Sequence, residues 1–114
     1  MPKFIMLLHD SGTFPPDLSP DQIQAIIQRY VDWKERVKAG RQVEGHKLTD
    51  GEGRVLRGTV GSPTVTDGPY AESREVIGGL FIIDAASYDE AVELSKDCPH
   101  LAFGTIEVRE VQPT

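Results

Sequence analysis

The apolar residues recur at two spacings, and the switches between them mark out the elements. Phe4 to Leu8 is a run of five apolar residues, too short for a helix, followed by His9, Asp10 and a turn-rich stretch over 11–16. This pattern predicts a strand. Ser19 then reads as a helix N-cap, with Pro20 at the first helical position and Gln22 placed to complete a capping box. Leu18 and Ile23 flank the cap as a hydrophobic staple. From there Ile23, Ile26, Ile27, Tyr30, Trp33 and Val37 keep the helical period and form one apolar stripe, which Gly40 ends. Asp32 and Arg36, four apart, predict a solvent-exposed pair on that helix.

Gln42–Leu48 and Arg54–Val60 read as two strands joined across Asp50-Gly51-Glu52-Gly53, a hairpin signal. A Gly/Ser/Pro-rich stretch leads to Val65 and the turn Asp67-Gly68-Pro69-Tyr70, and Ile77–Asp84 (IGGLFIID) is another apolar run. Ser87 caps a second helix, with Glu90 closing its box. The stripe of that helix uses Tyr88, Ala91, Val92, Leu94 and Cys98, and Pro99 ends it. A last strand, Thr105–Val111, sets Ile106 and Val108 against Glu107 and Arg109 on the opposite face. The order β-α-β-β-β-α-β predicts an α+β fold: a ferredoxin-like split βαβ with an antiparallel sheet and an extra hairpin strand, in a single domain over residues 1–114.

Right-handed crossovers place both helices on one face of the sheet. Yet Phe4, Met6 and Leu8 oppose Ile5 and Leu7, and Leu80 and Ile82 oppose Phe81 and Ile83, so both strands are apolar on both faces. Such strands need cover on both sides, and exposing each side chain forgoes roughly 1.5–3 kcal/mol. A second copy packed sheet to sheet is the simplest cover, giving a homodimer. The alternative is that loops 11–17 and 61–76 fold over the open face.

Composition narrows the class of partner. The 114 residues hold 12 Lys plus Arg against 18 Asp plus Glu, a net charge of −6, which disfavours nucleic acid and anionic membranes. The single cysteine, Cys98, excludes an intrachain disulfide and a cysteine-cluster metal site, and fits a reducing compartment. The apolar run at the start is too short for a signal peptide or a membrane span, so a cytoplasmic location is expected.

Candidate chemistry is sparse. Three histidines at positions 9, 46 and 100 share no metal-ligand spacing, so no metal is indicated. There is no P-loop and no G-x-S-x-G, and Gly51-Glu52-Gly53 followed by Leu56 is not a dinucleotide fingerprint, so no cofactor is expected. His9 at a strand end is a general-base candidate and otherwise an exposed strand-end residue. His46, on the face of Glu44, is either a pocket donor or a surface residue. His100, in a loop after Pro99, reads as solvated. Asp67, Glu72 and Glu75 either converge on a pocket as acid, base or ligand groups, or form a turn and a solvated charge pattern around Arg74. Cys98 reads as a small core residue rather than a nucleophile.

The stretch VTDGPYAESREVIGG resembles the DGPF motif of the YCII-related (DGPF-domain) family through Asp67, Gly68, Pro69, Ala71, Glu72, Glu75, Gly78 and Gly79. Tyr70 stands where that motif has phenylalanine and Arg74 where it has lysine. The closing GTIEVREV resembles the family's last strand through Gly104, Ile106, Glu107, Val108 and Arg109. The resemblance implies a dimeric α/β barrel. Its enzymatic relatives carry a histidine on the first helix and an Asp-Pro motif, and neither is matched here: no histidine lies between Pro20 and Gly40, and Cys98 precedes Pro99. The expected function is therefore small-molecule binding in a helix–sheet cleft, with Asp67, Tyr70, Glu72 and Glu75 as binding residues and His9, His46 and Asp67 as catalytic candidates. The alternative that the resemblance implies is a regulatory or protein-interaction module associated with sigma-factor signalling.

Overall fold

The computed structural model describes residues 1–10, 17–68 and 76–113. Its elements are β1 (Lys3–Asp10), α1 (Pro20–Val37), β2 (Val43–Lys47), β3 (Arg54–Thr59), β4 (Ser62–Asp67), β5 (Val76–Asp84), α2 (Tyr88–Ser95), a 3-10 turn (Pro99–Ala102) and β6 (Gly104–Val111). The main sheet is antiparallel with the order β2-β5-β1-β6. This is the ferredoxin-like arrangement that the element order predicts, and the two strands with apolar residues on both faces, β1 and β5, occupy its centre.

Both helices pack on one face. Phe4, Met6 and Leu8 from β1 and Phe81 and Ile83 from β5 form a core with Trp33 and Val37 of α1 and Ala91 of α2. Phe81 can lean onto the Trp33 ring, with centroids 4.9 Å apart, because its cross-strand partner is Gly45; a Cβ there would run into the phenyl ring. The Trp33 indole N–H donates to the Leu94 carbonyl and to Asp97 Oδ1, tying α1 to the end of α2. The other sheet face carries Ile5, Leu7, Leu80 and Ile82, each partly buried.

The capping of α1 follows the sequence closely. The Ser19 hydroxyl accepts from the Gln22 amide, and the Gln22 side chain accepts from the Ser19 amide. In α2 the Ser87 hydroxyl accepts from the Glu90 amide, but the Glu90 carboxylate accepts from the Ala86 amide and Arg41 instead of closing the box. Arg36 likewise reaches across to Asp97, at 2.6 Å, rather than to Asp32.

Two expectations need correcting. The hairpin expected across residues 50–53 does not form, because the backbone of β2 is committed to β5 over Val43–Lys47, a pairing that the Leu48 amide extends to the Gly78 carbonyl. Instead β3 pairs with β4, a strand hidden in the Gly/Ser/Pro-rich stretch, across Val60-Gly61. Gly61 takes the left-handed φ of 87° that so tight a turn requires. The described residues therefore hold one more strand than expected, and β3–β4 stands as a separate hairpin. The second helix, moreover, stops at Ser95 rather than running to Pro99, leaving Cys98 as the residue that leads into the 3-10 turn.

Candidate functional site

The two halves of α1 are held differently. Trp33 is 1% exposed and anchors the C-terminal half, whereas Ile27 is 48% exposed and its neighbours Ile23 and Val31 are similarly open. Ile23, Ile26, Ile27 and Val31 form one wall of a cavity of about 940 Å³, with Leu8 and Phe81 of the sheet lining the opposite side. The apolar stripe of α1 thus does two jobs, packing the core with its last turns and lining a cleft with its first. A volume of this order accommodates a ligand of small-molecule size.

One polar cluster at the cavity was not legible in the sequence. His100, expected in solvent, is 3% exposed. Its Nε2 lies 2.9 Å from the His9 carbonyl oxygen, and its Nδ1 lies 3.1 Å from the Tyr30 hydroxyl. A carbonyl only accepts, so Nε2 donates to it; with the ring neutral, Nδ1 is then the nitrogen that accepts from the Tyr30 hydroxyl. Asp10 Oδ1 lies 3.7 Å from the same Nε2. Tyr30, Asp10 and His100 all line the cavity. Burial raises the Tyr30 hydroxyl to about 12, with the Cys98 and Asp10 charges adding to the effect, so the phenol remains protonated at neutral pH.

Two glycines make room for this cluster. A Cβ at Gly104 would fall on the His9 carbonyl oxygen and within 3.1 Å of His100 Nε2. A Cβ at Gly78, in the irregularity where β5 passes Leu8 and His9, would fall on the Asp10 carboxylate. Gly78 and Gly104 therefore have a steric role that a sequence pattern alone does not reveal.

The other expected residues are spread over the fold. The His9 imidazole pairs with Glu107 at 3.1 Å, and only its backbone carbonyl reaches the His100 cluster. His46 borders the cavity, but its Nε2 pairs with Glu44 at 2.8 Å. Asp67 ends β4 with its side chain 93% exposed, 3.6 Å from Arg54, and is not among the cavity-lining residues. Tyr70, Glu72 and Glu75 lie outside the described residues. Cys98 is buried, and burial pushes its thiol up to about 11, which suits a packing role.

The family model for the YCII-related domain matches residues 3–114. The chain belongs to the YCII-related domain family. An uncharacterized protein of Rhizobium meliloti is 41% identical to this YCII-related chain over 57 residues, covering 48% of this chain and 46% of that protein. The chain thus aligns with less than half the length of that curated relative. Among solved structures, 5-chloro-2-hydroxyhydroquinone dehydrochlorinase (TftG) from Burkholderia phenoliruptrix, in complex with 2,5-dihydroxybenzoquinone, is similar with a TM-score of 0.49 and 20% identity, covering 96% of this chain and 93% of that one. The Arabidopsis thaliana protein At3g17210 has a TM-score of 0.40 and 15% identity, covering 100% of this YCII-related chain and 96% of its own. No helix among the described residues is long and apolar enough to cross a membrane.

Proposed function

We propose that this YCII-related domain binds a small, largely apolar molecule in the cleft between α1 and the sheet. The observation that carries this reading is the cavity of about 940 Å³, walled by isoleucines that the core leaves half-exposed and bordered by the Tyr30–His100 pair. Solvated isoleucines forgo burial free energy that a ligand can recover, while a few fixed polar groups orient it. The binding set is then Tyr30 and His100 with the apolar wall, and the exposed Asp67 stands apart from it. A thermal-shift screen against a metabolite library tests the reading. At least one compound is expected to raise the melting temperature of the wild type and to lose that effect in Ile27→Trp, which fills the cleft from a half-exposed position. Hits that persist unchanged in that variant, or a screen with none, refute it.

The working form in this reading is a homodimer, with Ile5, Leu7, Leu80 and Ile82 of the open sheet face covered by a second copy. Light scattering is expected to give twice the 12.6 kDa chain mass, and a lone well-folded 12.6 kDa species would sink the dimer. A second reading, a protein-interaction module of the kind sigma-factor signalling requires, draws on β3–β4, whose Leu56, Val60 and Val65 are all exposed. It predicts that Leu56→Asp abolishes capture of a stoichiometric sigma factor while leaving ligand binding intact.

A further inference from the structure

Building on the cleft reading, we propose that Tyr30 and His100 form a proton relay that ionises the hydroxyl of a bound phenol or enol. The His9 carbonyl fixes the proton on Nε2, and Nδ1 takes the Tyr30 hydroxyl proton as its hydrogen bond. In this resting state Tyr30 Oη has spent its only proton on His100, so what it offers the cavity is lone pairs. Such an oxygen selects a ligand that donates. In a cavity walled mainly by isoleucine, leucine, valine and phenylalanine, with Lys34, His46, Lys47 and Asp50 as its polar side chains outside the Tyr30–His100–Asp10 cluster, the fitting donor is a hydroxyl on a largely apolar framework.

The same geometry carries the proton onward. The ligand O–H bond breaks and its proton forms a new O–H bond on Tyr30 Oη, while the original Tyr30 proton passes to Nδ1 of His100 over 3.1 Å. The ligand becomes an anion, His100 becomes an imidazolium, Tyr30 is again neutral, and no net charge is gained or lost. The high proton affinity of the partly buried Tyr30 hydroxyl agrees with a residue that hands protons on rather than holding a negative charge.

Charge is met at both ends. The groups facing the imidazolium are the Asp10 carboxylate from β1, with Oδ1 3.7 Å from Nε2, and Tyr30 from α1, while the neighbouring Cys98 keeps its thiol protonated. For the ligand anion there is Lys34, one turn beyond Tyr30 on the same helix, which lines the cavity and forms no ion pair among the described residues. Tyr30 is the catalytic residue in this scheme, because it meets the ligand. His100 and Asp10 act through it.

The test uses two probes of nearly the same shape, nitrobenzene and para-nitrophenol, whose anion alone is yellow. Both are titrated with the full chain at the pH where free nitrophenol is half ionised. Nitrobenzene, which has no hydroxyl to ionise, is the probe of the cleft alone and is expected to bind wild type, Tyr30→Phe and Asp10→Asn, since each keeps the isoleucine wall. Nitrophenol is expected to deepen in colour on binding wild type and to bleach on binding Tyr30→Phe or Asp10→Asn, where the cavity favours the neutral form. The affinity of Tyr30→Phe for the anion should fall by about tenfold or more, the worth of one hydrogen bond to a charged group. If nitrobenzene binds while nitrophenol shows the same colour and affinity in wild type and Tyr30→Phe, the cleft stands and the relay is overturned. If nitrobenzene binds none of the three proteins, the cleft reading fails and takes the relay with it.

Discussion

Gly104→Ala is the sharpest perturbation of the site, because it adds one methyl group between two backbones that cannot both stay put. The new Cβ falls on the His9 carbonyl oxygen and lies 3.0 Å from the His9 carbonyl carbon and 3.1 Å from His100 Nε2. These atoms belong to a paired region, with His9 opposite Thr105 and Asp10 opposite Gly104, so relief requires β1 and β6 to part at their ends. Overpacking of this kind costs about 1–3 kcal/mol, and losing the His100–His9 hydrogen bond costs about 0.5–1.5 kcal/mol more. The sum, about 1.5–4.5 kcal/mol, corresponds to a fall in melting temperature on the order of 10 °C for a chain of this size. Gly51→Ala is the control: at φ 70° with no atom within 4 Å, it brings only left-handed backbone strain of about 1–2 kcal/mol. Urea denaturation followed by circular dichroism measures both variants, and the His100 imidazole resonances separate them. They should move in Gly104→Ala and stay in Gly51→Ala. A Gly104→Ala protein within about 0.5 kcal/mol of wild type, with unmoved imidazole resonances, would refute the packing argument.

Two further predictions follow from the way α1 is held and from its partly buried hydroxyl. Trp33→Ala should cost about 3–5 kcal/mol, since it empties the core anchor, while Ile27→Ala, half-exposed, should cost about 1 kcal/mol or less and instead weaken ligand-induced thermal shifts. Equal destabilisation in the two variants would contradict the division of labour along the helix. At high pH, Tyr30 and Cys98 keep protons in the folded chain, to about 12 and about 11, that the unfolded chain releases near 10.0 and 9.0. Their stabilising contribution is therefore complete below pH 9 and is lost as pH rises through 9 to 12. Denaturation midpoints measured across that range should fall less steeply in Tyr30→Phe, and identical slopes would argue against a phenol whose proton is held by folding.

Local signals survived folding where the physics was local. The Ser19 cap and its Gln22 partner, the helical stripe ending at Val37, and the doubly apolar strands β1 and β5 could all be read along the chain, because each depends on neighbours within a few residues or on simple alternation. The β3–β4 hairpin was obscured: Asp50-Gly51 is the louder turn signal, yet the actual turn is Val60-Gly61, and Pro63 made the second strand look like a loop. The site was the least legible part. Nothing near Cys98-Pro99-His100 announces burial; it is the long-range pairing of β1 with β6 that brings the His9 carbonyl and Asp10 to the ring. Tyr30 looked like one more apolar position in a stripe, although it was the member of that stripe with a hydroxyl to place. Gly104, directly ahead of an alternating strand, was the clue available, since a glycine where any residue could start a strand points to a backbone passing close by.

The chain has a single tryptophan, and its indole rests edge-on against Phe81, a ring whose surroundings include the empty volume beneath the first turns of α1. Whatever enters that volume displaces water from one side of the phenyl group while Trp33 reports from the other. The domain thereby carries its own optical gauge of occupancy: emission colour and quenching can be followed during a titration without attaching a dye.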